Sequence, residues 1–227
     1  MHILPNTRTF PIESNNIELL KWFAFFCMIL DHVGYILLGE NYPLRFIGRI
    51  AYPLFGIILA HNFYFFSTSS PLKMIGKLFI FGVLAQLAAI WAMPSAYTGT
   101  LNILFSLMGA TFLIWGNIEE NIQYKFFLYP IGFLISIVSD YCIGGSLMVL
   151  FFYLFFKKKD IKFLLAGIFF LFLSEVNVFP LWVVLPALAS PFLIYIPELK
   201  FRIPRSSKYS FYIGYIVQFL LIGLFLR

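Results

Sequence analysis

At 227 residues, 61% hydrophobic and only 11% charged, the chain carries less than half the charge of a soluble domain, which runs near ~25%. Together with a mean hydropathy of +0.90 and 30 phenylalanines, this excludes a water-soluble fold and points to an all-α, polytopic integral membrane helix bundle. The formal net charge of +6 does not imply a nucleic-acid partner, because Lys and Arg fall mostly between apolar segments, where they act as topology signals.

Residues 1–16 are polar and read as a short cytoplasmic tail of a single transmembrane domain spanning 1–227. They are not a cleavable signal, since the apolar stretch behind them is too long and contains Lys21. Nine apolar segments follow, at 17–38, 46–66, 72–93, 101–118, 122–139, 141–156, 161–174, 180–196 and 209–226. They predict eight or nine transmembrane helices, with 141–156 and 161–174 short for full spans. Pro53, Pro130, Pro186 and Pro191 sit inside segments and predict kinks. Ser139 and Asp140 leave almost no turn, so 122–156 reads as a tight hairpin. Cys27 and Cys142 lie in or beside apolar segments without any CxxC spacing and read as packing residues.

Loop charge gives an orientation. Lys73 and Lys77, Lys125, Lys157 to Lys159 with Lys162, and finally Lys200, Arg202, Arg205 and Lys208 follow the even-numbered segments. Little beyond Arg45 and Arg49 follows the odd ones. The positive-inside rule then places the N-terminus and the even loops in the cytoplasm of a bacterial inner membrane. With nine spans, Arg227 emerges outside.

The most informative positions are polar ones inside apolar segments. Asp31 and His32 lie deep in the first segment, where a carboxylate costs about 2.5–3.5 kcal/mol by insertion scales and so marks chemistry or an ion path. At 1.5 Å per residue, Asp31, His32, Arg49, Gln86, Asn102, Ser106 and Gln218, from five segments, fall within about 12 Å of the outer surface. They read as one site. Lys21 precedes His32 by eleven positions, close to a whole number of helical turns, which puts both on one face about 16 Å apart. A cation at the cytoplasmic mouth and an imidazole deep on the same face describe a tunnel for an elongated anionic compound.

Several of these residues carry a family resemblance. KWFAFFCMILDH over Lys21 to His32, Gly48-Arg49 with Pro53-Leu54-Phe55, Ala85-Gln86, Asn102 to Phe105, Tyr141 to Gly144 and a closing aromatic-rich span resemble TraX. That family comprises membrane acetylases that modify the N-terminus of conjugative pilin. The basic-x10-His spacing is also similar to the wider membrane acyltransferase group, which implies acetyl-CoA as donor and Lys21 as its anchor. The resemblance thus implies an acetyl-CoA-dependent transferase, N-acetylation favoured, with a pilin subunit as acceptor, membrane lipids around it, and no metal or nucleic acid. The chain departs from the family at Gln218, where TraX-like proteins tend to carry a His. Glutamine can hydrogen-bond but cannot carry a proton. His61 has no counterpart in the motif and reads as interfacial.

Roles follow from the chemistry of acyl transfer. His32 is the candidate base, since an imidazole titrates near neutrality. Neighbouring helical side chains point about 100° apart, so Asp31 is expected to pair with Arg49 across the first hairpin rather than with His32. That pair serves the site or is a structural staple. Gln86, Asn102, Ser106, Gln218 and Tyr141 are candidates for contacts to the oxyanion or the acceptor, although amides in membrane bundles also serve as interhelical hydrogen bonds. An O-acetyltransferase of an envelope glycan or lipid, or a small transporter, would use the same kinds of residue.

Overall fold

The computed structural model describes residues 14–39, 42–65, 70–176, 178–195, 197, 203–207 and 209–227. These are 83% helical and contain no strand. The helices are α1 (Ser14–His32), α2 (Tyr42–Gly48), α3 (Ala51–Phe65), α4 (Pro71–Ala92), α5 (Pro94–Tyr97), α6 (Ile103–Ile118), α7 (Ile122–Ile137), α8 (Cys142–Lys158), α9 (Ile161–Glu175), α10 (Leu181–Ala189) and α11 (Ser210–Phe225). A π-helical turn, Val33–Leu37, extends α1, and a 3-10 turn, Ser190–Tyr195, extends α10. Every predicted apolar segment contains a helix. Lys200, Arg202 and Lys208 lie outside the described residues.

Three helical stretches, Asn15–Leu37, Pro43–Phe65 and Pro71–Ala92, are long and apolar enough to cross a membrane. The other apolar helices have 9 to 17 residues, about 14–26 Å at 1.5 Å each. On α4 the buried face is Ile75, Leu78, Gly82, Ala85, Ala88, Ala89 and Ala92, mostly small residues, while Phe79, Ile80, Leu84 and Leu87 are exposed. Close approach through small residues is how helices associate where lipid already solvates the apolar side chains. Between α6, α7 and α8, the one hydroxyl proton of Ser136 lies between Gly132 O (2.6 Å) and Ser146 Oγ (2.7 Å), and Ser146 Oγ donates to Ser106 O (3.0 Å).

Local boundaries have identifiable causes. Proline at 53 has no N–H and its ring crowds the carbonyl four residues earlier, which belongs to Arg49. The chain accordingly breaks at Arg49–Ile50, between α2 and α3. The predicted single segment 46–66 is thus two helices, with Arg49 presented at the break. Asn102, expected inside the fourth segment, lies before it as an N-cap: its side chain accepts from Leu104 N at 3.0 Å, satisfying a donor the helix start leaves open. Asn121 and Asp160 cap α7 and α9 in the same way.

Four expectations need correction. Helix α1 begins at Ser14, so the polar tail does not extend to residue 16; Asn15 Oδ1 and Glu18 Oε2 tie this start to the backbone N–H groups of Ile203 (2.8 Å) and Ser206 (3.0 Å). The turn after α7 is tight, but α7 packs chiefly on α6 while α8 packs chiefly on α9 and α3, so the two do not form a closed hairpin. That turn is pinned by Leu101, whose N–H donates to Val138 O (2.8 Å) and whose carbonyl accepts from Asp140 N (2.9 Å). Cys27 is fully buried as expected, whereas Cys142 is exposed, with a left-handed φ of 47° at the start of α8. His61 is buried against the rings of Phe65 and Phe156 and is not interfacial.

Candidate functional site

The C-terminal end of α1, the break after α2, the α7–α8 turn and the end of α9 enclose a cavity of about 210 Å³. Its lining includes Asp31, His32, Arg45, Arg49, Asp140, Tyr141, Glu175 and Tyr215. Arg49 Nη2 donates to Asp31 Oδ2, the pairing expected across the first hairpin. Arg45 Nε reaches Asp31 Oδ1 at 3.5 Å, and Arg49 Nη1 lies 3.5 Å from Glu175 Oε2. Phe179 stands between the two guanidinium groups, each 4.5 Å from its ring centre. Gly48 permits this approach, since a Cβ there would stand 2.7 Å from the Asp31 Cα.

His32 closes α1 immediately before the π-helical turn, a distortion often found at functional positions. Its ring is buried against Phe219 (4.8 Å between centres) and Tyr215 (5.9 Å). Gln218 lies beside His32, with neither its amide atoms nor His32 Nδ1 in hydrogen-bond geometry. Arg49 Nε, Tyr52 Oη and both Glu175 carboxylate oxygens are likewise buried without a hydrogen bond. Buried polar atoms are hydrogen-bonded in the great majority of cases, so this cluster of open groups is the mark of a site shaped for something else to occupy.

The α7–α8 turn supplies Asp140 and Tyr141. The Tyr141 ring stacks on Tyr52 at 3.7 Å. One edge of Asp140 is open at the cavity mouth while protein surrounds the rest. Desolvation raises its carboxyl to about 6, against the lowering effects of the Thr100 hydroxyl and the Arg49 charge, with Asp31 adding to the rise.

A family model described as TraX protein matches residues 16–226. The chain belongs to the TraX family. It is similar to the Probable fimbrial assembly protein FimC, serogroup H1, of Dichelobacter nodosus, 29% identical over 92% of this chain and 96% of that protein. It also resembles the Uncharacterized protein RP591 of Rickettsia prowazekii (strain Madrid E), 36% identical over 33% of this chain and 27% of that protein. No solved structure matches.

In this TraX-family chain the predicted polar layer divides into separate networks. Asp31, His32 and Arg49 share the cavity, Tyr141 lines it, and Gln218 sits behind His32. Gln86 and Asn102 do not line it. Gln86 Nε2 donates to Tyr97 O and Thr100 O, both at 2.8 Å, and its Oε1 accepts from Asn102 N (2.8 Å) and Nδ2 (3.0 Å). Asn102 Nδ2 also donates to Gly82 O at 2.8 Å. The two amides clamp the α5–α6 connection to α4, and every polar atom is engaged, which leaves none for an oxyanion. Ser106 is fully buried and does not line the cavity; its backbone carbonyl accepts from Ser146 Oγ, while its own hydroxyl makes no hydrogen bond.

Asn102→Ala tests this correction. It should cost about 1–3 kcal/mol, from the lost cap and the stranded partner groups, and lower the melting temperature in detergent. Unchanged stability with abolished activity would return Asn102 to the chemistry.

Lys21 lines a second cavity of about 270 Å³, with Lys77, Asn62, Ser206 and Ser207 at its polar end. Its Nζ is held 2.6 Å from Glu18 Oε1, a restraint the sequence reading did not include. Met28, Ile103 and Tyr215 line both cavities and form the wall between them. Lys21, Met28 and His32 therefore lie along one face of α1, as the spacing predicted.

Glu175, Asp140 and Arg45 were missed as site residues. Glu175 ends the apolar run IKFLLAGIFFLFLSE, so the logic that singled out Asp31 applied to it equally. Asp140 carried no such signal, because a carboxylate in a turn is ordinary.

Proposed function

We propose that this TraX-family chain is a membrane acetyltransferase that takes acetyl from cytoplasmic acetyl-CoA and passes it to an amine at the opposite face, with the N-terminus of a pilin as the acceptor. The observation that carries the reading is the pair of cavities on one face of α1, separated only by Met28, Ile103 and Tyr215. The fimbrial name of the Dichelobacter relative and the family's pilin connection support the acceptor. The loop lysines support an inner-membrane location with a cytoplasmic N-terminus.

The Lys21 cavity suits the donor. It offers two cations, an amide and two hydroxyls at its mouth, and a deeper lining of Phe55, Ile58, Leu59, Leu78 and Leu104. At about 270 Å³ it falls below the ~300–1,000 Å³ of pockets that enclose a drug-sized ligand. It therefore fits the slender pantetheine arm and leaves the nucleotide at the mouth. In the second cavity, His32 accepts the proton of the attacking nitrogen and returns it to the departing sulfur. The Arg49 guanidinium, with its Nε open, faces the charge that develops on the carbonyl oxygen. Asp31 holds Arg49 in place. Passage of the thioester requires Met28 or Tyr215 to swing aside.

Lys21→Gln should raise KM for acetyl-CoA about 10–100-fold, the worth of a hydrogen bond to a charged group, with a smaller change in kcat, as expected when binding common to ground and transition state is lost. Lys21→Arg should keep most function, since a phosphate needs the charge more than the ammonium itself. An unchanged KM in a correctly inserted Lys21→Gln protein would remove the donor from this mouth. Absence of any acetyl-CoA-dependent acylation by the purified wild type would remove the whole reading.

A further inference from the structure

The cavity holding His32 has more carboxyl than guanidinium groups: Arg45 and Arg49 face Asp31, Glu175 and Asp140. Asp31 is occupied by both arginines. Glu175 is not: it is 1% exposed, neither of its oxygens accepts a hydrogen bond, and its ion-pair contact is Arg49 Nη1 at 3.5 Å. Asp140 stands at the mouth of the same cavity, open to solvent on one edge. A buried carboxylate with two unfilled acceptors, and a second at the entrance, match a guest that carries a positive charge and several N–H donors.

We infer that Glu175 and Asp140 form a receptor for a primary ammonium group, so that the acceptor enters as its cation and leaves its first proton there. The inference rests on the acetyl-transfer reading for its chemistry and names what holds the acceptor. An α-amino group has a pKa near 7.7–8.0, so at neutral pH it is mostly R–NH3+ and has no lone pair. One proton passes to a receptor carboxylate, giving R–NH2 and a carboxylic acid, and Asp140 releases it to water at the mouth. The nitrogen then attacks the thioester carbon and the C–N bond forms. The second proton moves to His32, the C–S bond breaks, and the sulfur departs with that proton as the CoA thiol. The balance is R–NH3+ plus acetyl-CoA to the N-acetyl amide, CoA–SH and one released proton. A hydroxyl acceptor brings no charge and needs no such receptor.

The hold on the ammonium should weaken as pH falls. The carboxyl of Asp140 sits at about 6 and faces Thr100, Arg49 and Asp31, with His32, Arg45 and Glu175 lining the same cavity. It is ionised above that pH and neutral below it. Protonation at acid pH removes half of the receptor.

The test measures binding and turnover on the purified full chain with two probes, trialanine amide with a free N-terminal amine and its analogue with a hydroxyl in place of that amine. Wild type should bind the amine tighter by about tenfold or more, the worth of one charge-assisted hydrogen bond. The preference should shrink below pH 6. Asp140→Asn, which keeps the turn polar, should reduce the preference and abolish its pH dependence. Glu175→Gln should nearly erase it, and Glu175→Asp should restore part of it. Should Glu175→Gln fail to fold because Arg49 loses its second carboxylate, Asp140→Asn and Glu175→Asp still decide the matter. Equal affinity of wild type for both probes, or a preference untouched by Asp140→Asn and by either Glu175 variant, overturns the ammonium receptor. A preference that behaves as stated without any acetyl transfer sinks the transferase reading and leaves the receptor standing.

Discussion

His32→Ala should reduce acetyl transfer by about 10²–10⁴-fold, the usual contribution of a positioned base, with KM for acetyl-CoA nearly unchanged. The split follows from the layout. His32 lines the cavity beyond the wall of Met28, Ile103 and Tyr215, on the side away from Lys21, so on the proposed reading it would meet the reacting end of the donor and none of its phosphates. The fold should survive, because His32 Nδ1 makes no hydrogen bond and the ring's contacts are packing against Phe219 and Tyr215. His32→Gln, of similar bulk, controls for that packing. Acetyl transfer assayed with purified protein decides the matter. Activity above a tenth of wild type in both variants would exclude His32 as an essential base.

The charge network should give the largest stability effects. Arg49→Gln strands Glu175 and leaves Asp31 only its longer contact to Arg45 Nε at 3.5 Å, and should cost about 3–5 kcal/mol, as when one partner of a buried pair is removed. Asp31→Asn should cost less than Arg49→Gln, because Glu175 remains beside Arg49 at 3.5 Å. The double variant keeps Arg45 and Glu175 in charge balance, so it should recover expression and detergent stability beyond the Arg49→Gln level. It should not recover activity. Thermal unfolding of the three proteins forms a double-mutant cycle, and strictly additive losses would show that the two charges are uncoupled.

The membrane bundle and the place of its long apolar helices were legible in the sequence, because apolar length is a property of the chain alone; the short helices α2 and α5 were not. So were Asp31, Arg49 and their pairing, since either charge alone inside an apolar segment is too costly to leave unpaired. The shared face of Lys21 and His32 follows from helical periodicity, which needs no neighbour to define it. Depth along a helix was a weaker guide. It grouped Gln86 and Asn102 with His32, but height along a helix does not say which way a side chain turns. The tertiary structure turned both amides into the α4–α6 connection, where backbone donors and acceptors left open by the chain reversal engage every polar atom. It also buried Ser106 away from the cavity, with its carbonyl bonded to α8.

The converse holds for Glu175 and Asp140. Each lies at the end of an element remote in sequence from α1, and only the packing of α9 and the α7–α8 turn around α2 brings them to Asp31 and Arg49. The sequence by itself determined which charges must be buried. The tertiary structure decided which of them find a partner within the chain, because partnership depends on contacts between segments more than a hundred residues apart, which no local pattern encodes.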